Sequence, residues 1–149
     1  ATRAAGRLRA LTYLLDTHAW LWMLGDPERI RPDLVAELRA NQTRLLLSAA
    51  SSWEIAVKWA VGRLSLPEPP ATYVPSRMQR TNVEPLAVTH SHALQVATLP
   101  RHHRDPFDRL LIAQAQLEGV PLVTVDSALD DYDVETIRAN RGAHGDIDV

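Results

Sequence analysis

Cysteine is absent from this 149-residue chain, which excludes disulfides and thiolate zinc sites and fits a protein of the cytoplasm. A surplus of one charge is absent too. The formal net charge is −2, so nothing draws the whole molecule to nucleic acid. Such a partner would have to be held by local Arg and Lys groups and by bound metal. No apolar run approaches the ~20 residues that span a bilayer, which argues against a membrane protein. The apolar stretch after the basic opening (Arg3, Arg7, Arg9) stops at Asp16, too short for a signal peptide. Internal repeats and low-complexity tracts are missing as well. What is there is the composition of a folded chain, 46% hydrophobic and 23% charged. The length suits one domain with a sizeable core.

Strand-like and helix-like segments alternate along the chain. Leu11 to Leu15 reads as a buried strand, and Asp16-Thr17 can cap a helix running to Gly25. A second helix fits Pro27 to Ala40, with Pro32 as a break in its first turn. Arg44 to Ser48 is a short strand, and Ser51 to Val61 a helix ended by Gly62, with Ile55, Ala56, Trp59 and Ala60 packed. Trp53 and Trp59 fit the core face of that helix, whereas Trp20 and Trp22 cannot both face inward. Pro67, Pro69, Pro70 and Pro75 make Leu66 to Pro75 a loop, with room for a short helix after it. Val83 to Val88 is a strand interrupted at Pro85, and Thr89 to Leu99 a helix with Leu94 and Ala97 inward. Pro106 to Glu118 is the strongest helix, closed by Gly119. Val120 to Val125 is a buried strand, and Val134 to Ile137 a final edge strand. This is the pattern of a doubly wound α/β fold with a mostly parallel sheet. The expected layout is a flexible basic lead-in (1–10), a folded domain (11–138) and a mobile tail (139–149).

In such a sheet, ligands bind outside the carboxyl ends of the strands. Asp16, Glu54, the pair Asp105/Asp108 and Asp126 all fall near strand-to-helix transitions. Each has a plain reading. Asp16 and Asp126 can be helix N-caps; Asp105 before Pro106 is a good cap; Asp108 in the first turn suits the helix dipole. Glu54 matches a capping box with Ser51 and could pair with Lys58 one turn on. Capping does not explain why four separate units deliver carboxylates to one edge, nor why Thr124 sets a hydroxyl beside Asp126. Clustered carboxylates repel by about 4 kcal/mol per pair 4 Å apart at an effective dielectric near 20. A divalent cation relieves that repulsion, so the pattern points to a magnesium- or manganese-dependent enzyme acting on phosphate esters.

These residues resemble the PIN-domain ribonucleases, most closely the VapC-type toxins of bacterial toxin–antitoxin modules. Leu14-Leu15-Asp16-Thr17-His18-Ala19-Trp20 looks like the first acidic motif, and Ser48-Ala49-Ala50-Ser51-Ser52-Trp53-Glu54-Ile55 like the second. His103-Arg104-Asp105-Pro106-Phe107-Asp108-Arg109, running into Leu110 to Ala115, is similar to the third and most specific. Thr124-Val125-Asp126 looks like the fourth. The resemblance covers roughly Tyr13 to Ile137, in the family's order. It implies a three-layer α/β/α sandwich with a central parallel sheet and a metal-dependent endoribonuclease. Asp16, Glu54 and Asp108 carry over as the metal-binding core and Asp126 as the fourth acidic position, with Asp105 a second candidate in the third motif. It also implies a cognate antitoxin and a homodimer as partners.

Mg²⁺ prefers about six oxygen ligands and keeps several waters, so two or three carboxylates leave room for a phosphate oxygen. Mn²⁺ should substitute. Thr17 and Thr124 are plausible outer donors to the ligating carboxylates. Lys58, Arg104 and Arg109 are candidate contacts to the RNA backbone, although Arg109 also suits pairing with a nearby carboxylate. His18, His102 and His103 receive no catalytic role. A dehalogenase-type phosphatase is excluded locally, because its Asp-x-Asp would need an acid where His18 stands. A receiver domain needs a phospho-acceptor Asp at the third-strand position and a Lys after the last strand, and neither is evident in this chain. The remaining rivals are a nuclease acting on single-stranded DNA and a non-catalytic RNA-binding or interaction module of the same fold.

Overall fold

Leu14-Leu15, Leu45-Leu46-Leu47 and Leu122-Val123 are unbroken apolar pairs and triplets, as strands buried on both faces require. The computed structural model describes residues 11–102 and 105–141. The five strands are β1 (Leu11–Leu15), β2 (Thr43–Ser48), β3 (Val83–Leu86), β4 (Leu122–Thr124) and β5 (Thr136–Arg138). All four pairings are parallel, in the order β3-β2-β1-β4-β5. Among the described residues the α-helices are α1 (Thr17–Gly25), α2 (Pro32–Leu38), α3 (Ala49–Ala60), α4 (Pro70–Thr81), α5 (His90–Gln95) and α6 (Pro106–Glu118).

Alternate strand residues feed two separate cores, which makes the three layers. Tyr13, Leu15, Leu45, Leu47 and Val123 pack with Trp20 and Met23 of α1, Leu34 and Leu38 of α2, Ile55 of α3, and Tyr73 and Val74 of α4. Leu14, Leu46 and Leu122 pack on the other face with Leu99, Leu129, Tyr132 and Leu111, Ile112, Ala113 and Ala115 of α6. The expected α/β/α sandwich is therefore the observed one.

Several local expectations are corrected. Pro70–Thr81 is a twelve-residue helix, so the loop expected as far as Pro75 ends at Pro69 and the short helix expected after it begins earlier and is longer. Pro70 occupies the first turn, where its missing N–H is no loss. Pro75 and Ala71, whose carbonyl it leaves unbonded, are both exposed, so water can serve that carbonyl. The predicted helix from Thr89 to Leu99 ends early, at Gln95, and continues as a 3₁₀ turn over Val96–Thr98. Leu94 is 71% exposed because His92 takes the buried position of α5, and Ala97 in the 3₁₀ turn is exposed rather than inward. Trp53 and Trp59 are also exposed, because Ile55 and Glu54 take the buried face of α3. Trp20 is fully buried and Trp22 partly so, with Arg29 stacked over the Trp22 ring. Pro85 fits its strand because β3 is an edge.

Residues 139–141 belong to the folded body rather than to a mobile tail. The Ala139 N–H donates to the Thr124 carbonyl, Arg31 N–H donates to the Ala139 carbonyl, and Ala139 is buried. The lead-in 1–10 and the rest of the tail lie outside the described residues. No helix among the described residues is long and apolar enough to cross a membrane.

Candidate active site

Strand order reverses between β1 and β4, and in open α/β sheets the crevice at that switch point is where ligands bind. Asp16 lies immediately past the end of β1, and Asp126 two residues past the end of β4. Asp16 caps α1 with extended backbone, its Oδ1 accepting from the Ala19 N–H at 2.7 Å. Its Oδ2 accepts from the Thr124 hydroxyl at 2.5 Å and the Val125 N–H at 3.2 Å. Those bonds stitch Asp16 across the switch point to the strand next door. Thr124 in turn accepts from the Asp126 N–H at 3.0 Å, and Asp126 caps the following 3₁₀ turn through the Ala128 N–H at 2.9 Å.

Asp16 is 4% exposed. Burial pushes its carboxyl above the ordinary value of 3.8, outweighing the donors Thr124, Ala19 and Val125 and the attraction of His18. Three neutral donors fill three of the roughly four acceptor directions of a carboxylate, which leaves one direction for a further ligand.

Glu54 approaches from α3. The true N-cap of that helix is Ser48, whose hydroxyl accepts from the Ala50 N–H at 2.9 Å. The expected capping box between Ser51 and Glu54 is therefore incorrect. Ser51 instead accepts from the Thr17 hydroxyl at 2.9 Å, a bond between two buried groups that fastens α3 to the first turn of α1. Ser51 and Glu54, three apart, share one face, so the same bond fixes where Glu54 stands. Glu54 is 1% exposed; Oε2 meets the Lys58 ammonium at 2.5 Å, while Oε1 is buried without a hydrogen-bond partner. An orphaned buried carboxylate oxygen is uncommon and asks for a reason.

Asp108 occupies the first turn of α6, half-buried. Asp105 caps that helix, its Oδ1 accepting from the Phe107 N–H at 2.8 Å and the Asp108 N–H at 3.3 Å. Phe107 meets Trp53 edge to face, ring centroids 4.9 Å apart, so the turn carrying Asp108 abuts the turn carrying Glu54. Arg109 donates to the carbonyls of Pro100, Val96 and Leu99. Those donors tie the 96–100 segment to α6. Arg104 and His103 lie outside the described residues. His102 rests against the Tyr132 ring, away from any assigned role.

Among the described residues, no three acidic or imidazole side chains stand together closely enough to enclose an ion by themselves. The donor chemistry nevertheless fits a hard cation, with oxygen ligands only, a buried carboxylate at Asp16 and an orphaned oxygen on Glu54. Mg²⁺ commonly takes one or two carboxylates directly and fills its shell with water and substrate phosphate, so a loose acidic set suits it. A cavity of about 470 Å³ at the other end of the sheet, lined by Leu38, Arg39, Thr43, Arg80 and Asn82, contains no acidic group. The roles of Ser51 and the Val125 N–H escaped the sequence reading. Ser51 was findable in principle, three residues before Glu54, but nothing in the sequence names Thr17 as its partner.

Comparison with known proteins agrees with this fold. The PIN domain family matches residues 13–135. Ribonuclease VapC22 of Mycobacterium tuberculosis (strain ATCC 25618 / H37Rv) is 32% identical over 120 residues, covering 79% of this chain and 89% of that protein. Ribonuclease VapC16 of the same strain is 48% identical over 68 residues, 43% of this chain; the match spans only about half of that relative's length (48%). Among solved structures, VapBC2 from Rickettsia felis bound to a promoter DNA fragment superimposes with a TM-score of 0.66 at 16% identity. That match covers 87% of this chain and all of the matched one, and at such identity it speaks for the fold alone.

Proposed function

This chain belongs to the PIN domain family, and from that premise we propose that it is a metal-dependent endoribonuclease, the toxin of a toxin–antitoxin pair. The observation that carries the reading is the pair of buried carboxylates at the carboxyl edge of the sheet. Asp16 sits on neutral donors, and Glu54 has one oxygen without a partner. Burying anionic groups with incomplete compensation is strongly unfavourable. A folded protein keeps them where something else brings the missing charge.

One or two carboxylates of the set Asp16, Glu54, Asp108 and Asp126 would hold Mg²⁺, or Mn²⁺ in its place, directly and the others through its water shell; Asp105 has one oxygen committed to capping α6. Bound there, the cation supplies Lewis-acid stabilisation of charge on a phosphodiester and activation of water. The protein's own part is orientation. Thr124 and the Val125 N–H fix the Asp16 carboxylate in one rotamer, Thr17 and Ser51 fix the approach of α3, and Lys58 holds one Glu54 oxygen. The Lys58 ammonium, which still reaches solvent, stands beside the carboxylates as a positive group for the RNA backbone. An RNA substrate, an antitoxin that covers the site, a second copy of the chain and a cytoplasmic setting complete the reading by likeness to the VapC ribonucleases and VapBC assembly named above.

The test is incubation of the purified chain with defined single-stranded RNAs, with Mg²⁺ and with EDTA. Internal cleavage that EDTA abolishes and Asp16→Asn removes is the expected result. Cleavage indifferent to both, or cleavage of matched DNA in preference to RNA, would discard the proposal.

A further inference from the structure

The chain holds a single phenylalanine, and it lies outside the two cores. Phe107 instead meets Trp53, whose surface is 60% exposed, in an edge-to-face pair with centroids 4.9 Å apart. An indole is one of the largest apolar groups a protein can bury, and α3 has a buried face that it gives to Ile55 and Glu54. Trp53 therefore contributes little to the core. Its position is better explained by neighbours along the chain: Trp53 directly precedes Glu54, and Phe107 directly precedes Asp108. The aromatic pair joins the two helix turns that bring these carboxylates in.

We propose that Trp53, supported edge-on by Phe107, is the platform on which an unpaired RNA base beside the scissile phosphate stacks. This rests on the nuclease reading above and adds its substrate class, unstacked single-stranded RNA. Phosphate held beside the Lys58 ammonium at the acidic edge brings its own flanking bases to the surrounding surface, where the aromatic pair stands. Single-stranded nucleic acid is commonly gripped by a cationic group for the backbone and aromatic faces for the bases. Lys58 and Trp53 supply one of each on the same helix. Because every base has a π-face, the platform selects single strands over duplex without choosing a sequence.

The test uses the full chain in EDTA, so that nothing is cut, with a mixed-sequence twelve-nucleotide RNA and its duplex as probes. Binding is followed by polarisation of labelled RNA and by tryptophan emission. The wild type should bind the single strand with quenching and the duplex more weakly. Trp53→Ala should bind about tenfold more weakly, Phe107→Ala should lose part of the affinity, and Trp53→Phe should keep most of it while losing the quench. With Mg²⁺, Trp53→Ala should raise KM and leave kcat close to wild type. Unchanged melting temperatures establish that the variants fold. Equal affinity of Trp53→Ala and wild type for the single strand would overturn the platform. So would unchanged RNA affinity with a shift to a smaller species in sedimentation, which would make Trp53 a contact between protein chains. A wild-type chain that binds with quenching yet never cuts RNA with Mg²⁺ would keep the platform and sink the nuclease.

Discussion

Charged residues at the margins of the sheet and at its central carboxyl edge live under opposite conditions. On one margin Arg44 of β2 holds Glu84 of β3 through two hydrogen bonds at 2.8 and 3.0 Å, and on the other Arg138 of β5 holds Asp130 at 2.7 Å. Arg44, Glu84 and Asp130 are each about half exposed, and Arg138 is partly so, with its Nε buried and without a hydrogen-bond partner. Each anion there has a full guanidinium partner and needs nothing more. At the centre, Asp16 and Glu54 are almost wholly buried, yet Asp16 is served by neutral donors and Glu54 keeps an oxygen unserved. The solvated pairs are the ones of least consequence, since exposed ion pairs contribute about 0–1 kcal/mol. The buried, incompletely compensated carboxylates are where we propose the metal site to be, because an external cation would supply the missing charge.

The contrast is broken most severely by Asp16→Asn. Losing the charge that recruits the cation should remove on the order of 4 kcal/mol of transition-state stabilisation, or about a thousandfold in cleavage rate. Gel assays on a defined RNA measure this, with circular dichroism confirming the fold. Next in size is Lys58→Ala. It strips Glu54 of its one ionic partner and should destabilise the chelated protein by about 1–2 kcal/mol in urea unfolding. That is less than the 3–5 kcal/mol of a fully buried pair, because Lys58 reaches water. Added Mg²⁺ should restore part of the loss.

A comparable effect is expected from the cation itself. At ten times its Kd it should stabilise the wild type by about 1.4 kcal/mol, read as a rise in Tm at neutral pH. The pH dependence follows from Asp16. Burial raises its pKa above 3.8, so the folded state holds the proton more tightly than the unfolded chain does. Its stabilising contribution is complete below 3.8 and disappears as pH rises through the raised value. The chelated protein is therefore penalised at neutral pH, and the cation, which requires the ionised form, compensates there. The Tm gap between Mn²⁺-loaded and chelated protein should narrow as pH falls through a window lying above 3.8. A gap that persists unchanged into that window would detach Asp16 from the cation. Smallest of all, Arg138→Ala should shift stability by less than about 1 kcal/mol and leave cleavage intact. A large loss of activity there would erase the distinction between margin and centre.

Much of the site was legible in the sequence because the rule that places it is topological. Once strands and helices alternate, residues just past Leu15 and Thr124 must meet at one edge, and the caps at Asp16, Asp105 and Asp126 formed as their residue types require. Side-chain direction on helices was less legible. Apolar positions on α3 outnumber the places in the core, so Trp53 and Trp59 looked equivalent to Ile55, although only Ile55 is buried. At α5 the apolar Leu94 read as the inward position, yet the buried residue is His92, paired with Glu118, and Ala97 falls in the 3₁₀ turn that follows. Proline misled the reading at α4, where Pro70 and Pro75 read as breakers although one opens the helix and the other faces water. The Thr17–Ser51 and Asp16–Thr124 bonds join residues 34 and 108 positions apart, a separation at which no local pattern identifies a partner.

The most direct measurement is an anomalous difference map from crystals grown with Mn²⁺. The expected result is a peak within coordination distance of the Asp16 carboxylate, on the side facing Glu54, Asp108 and Asp126. An ordered peak elsewhere, with the Asp16 and Glu54 oxygens still bare at saturating Mn²⁺, would contradict the assignment of these carboxylates as the metal site.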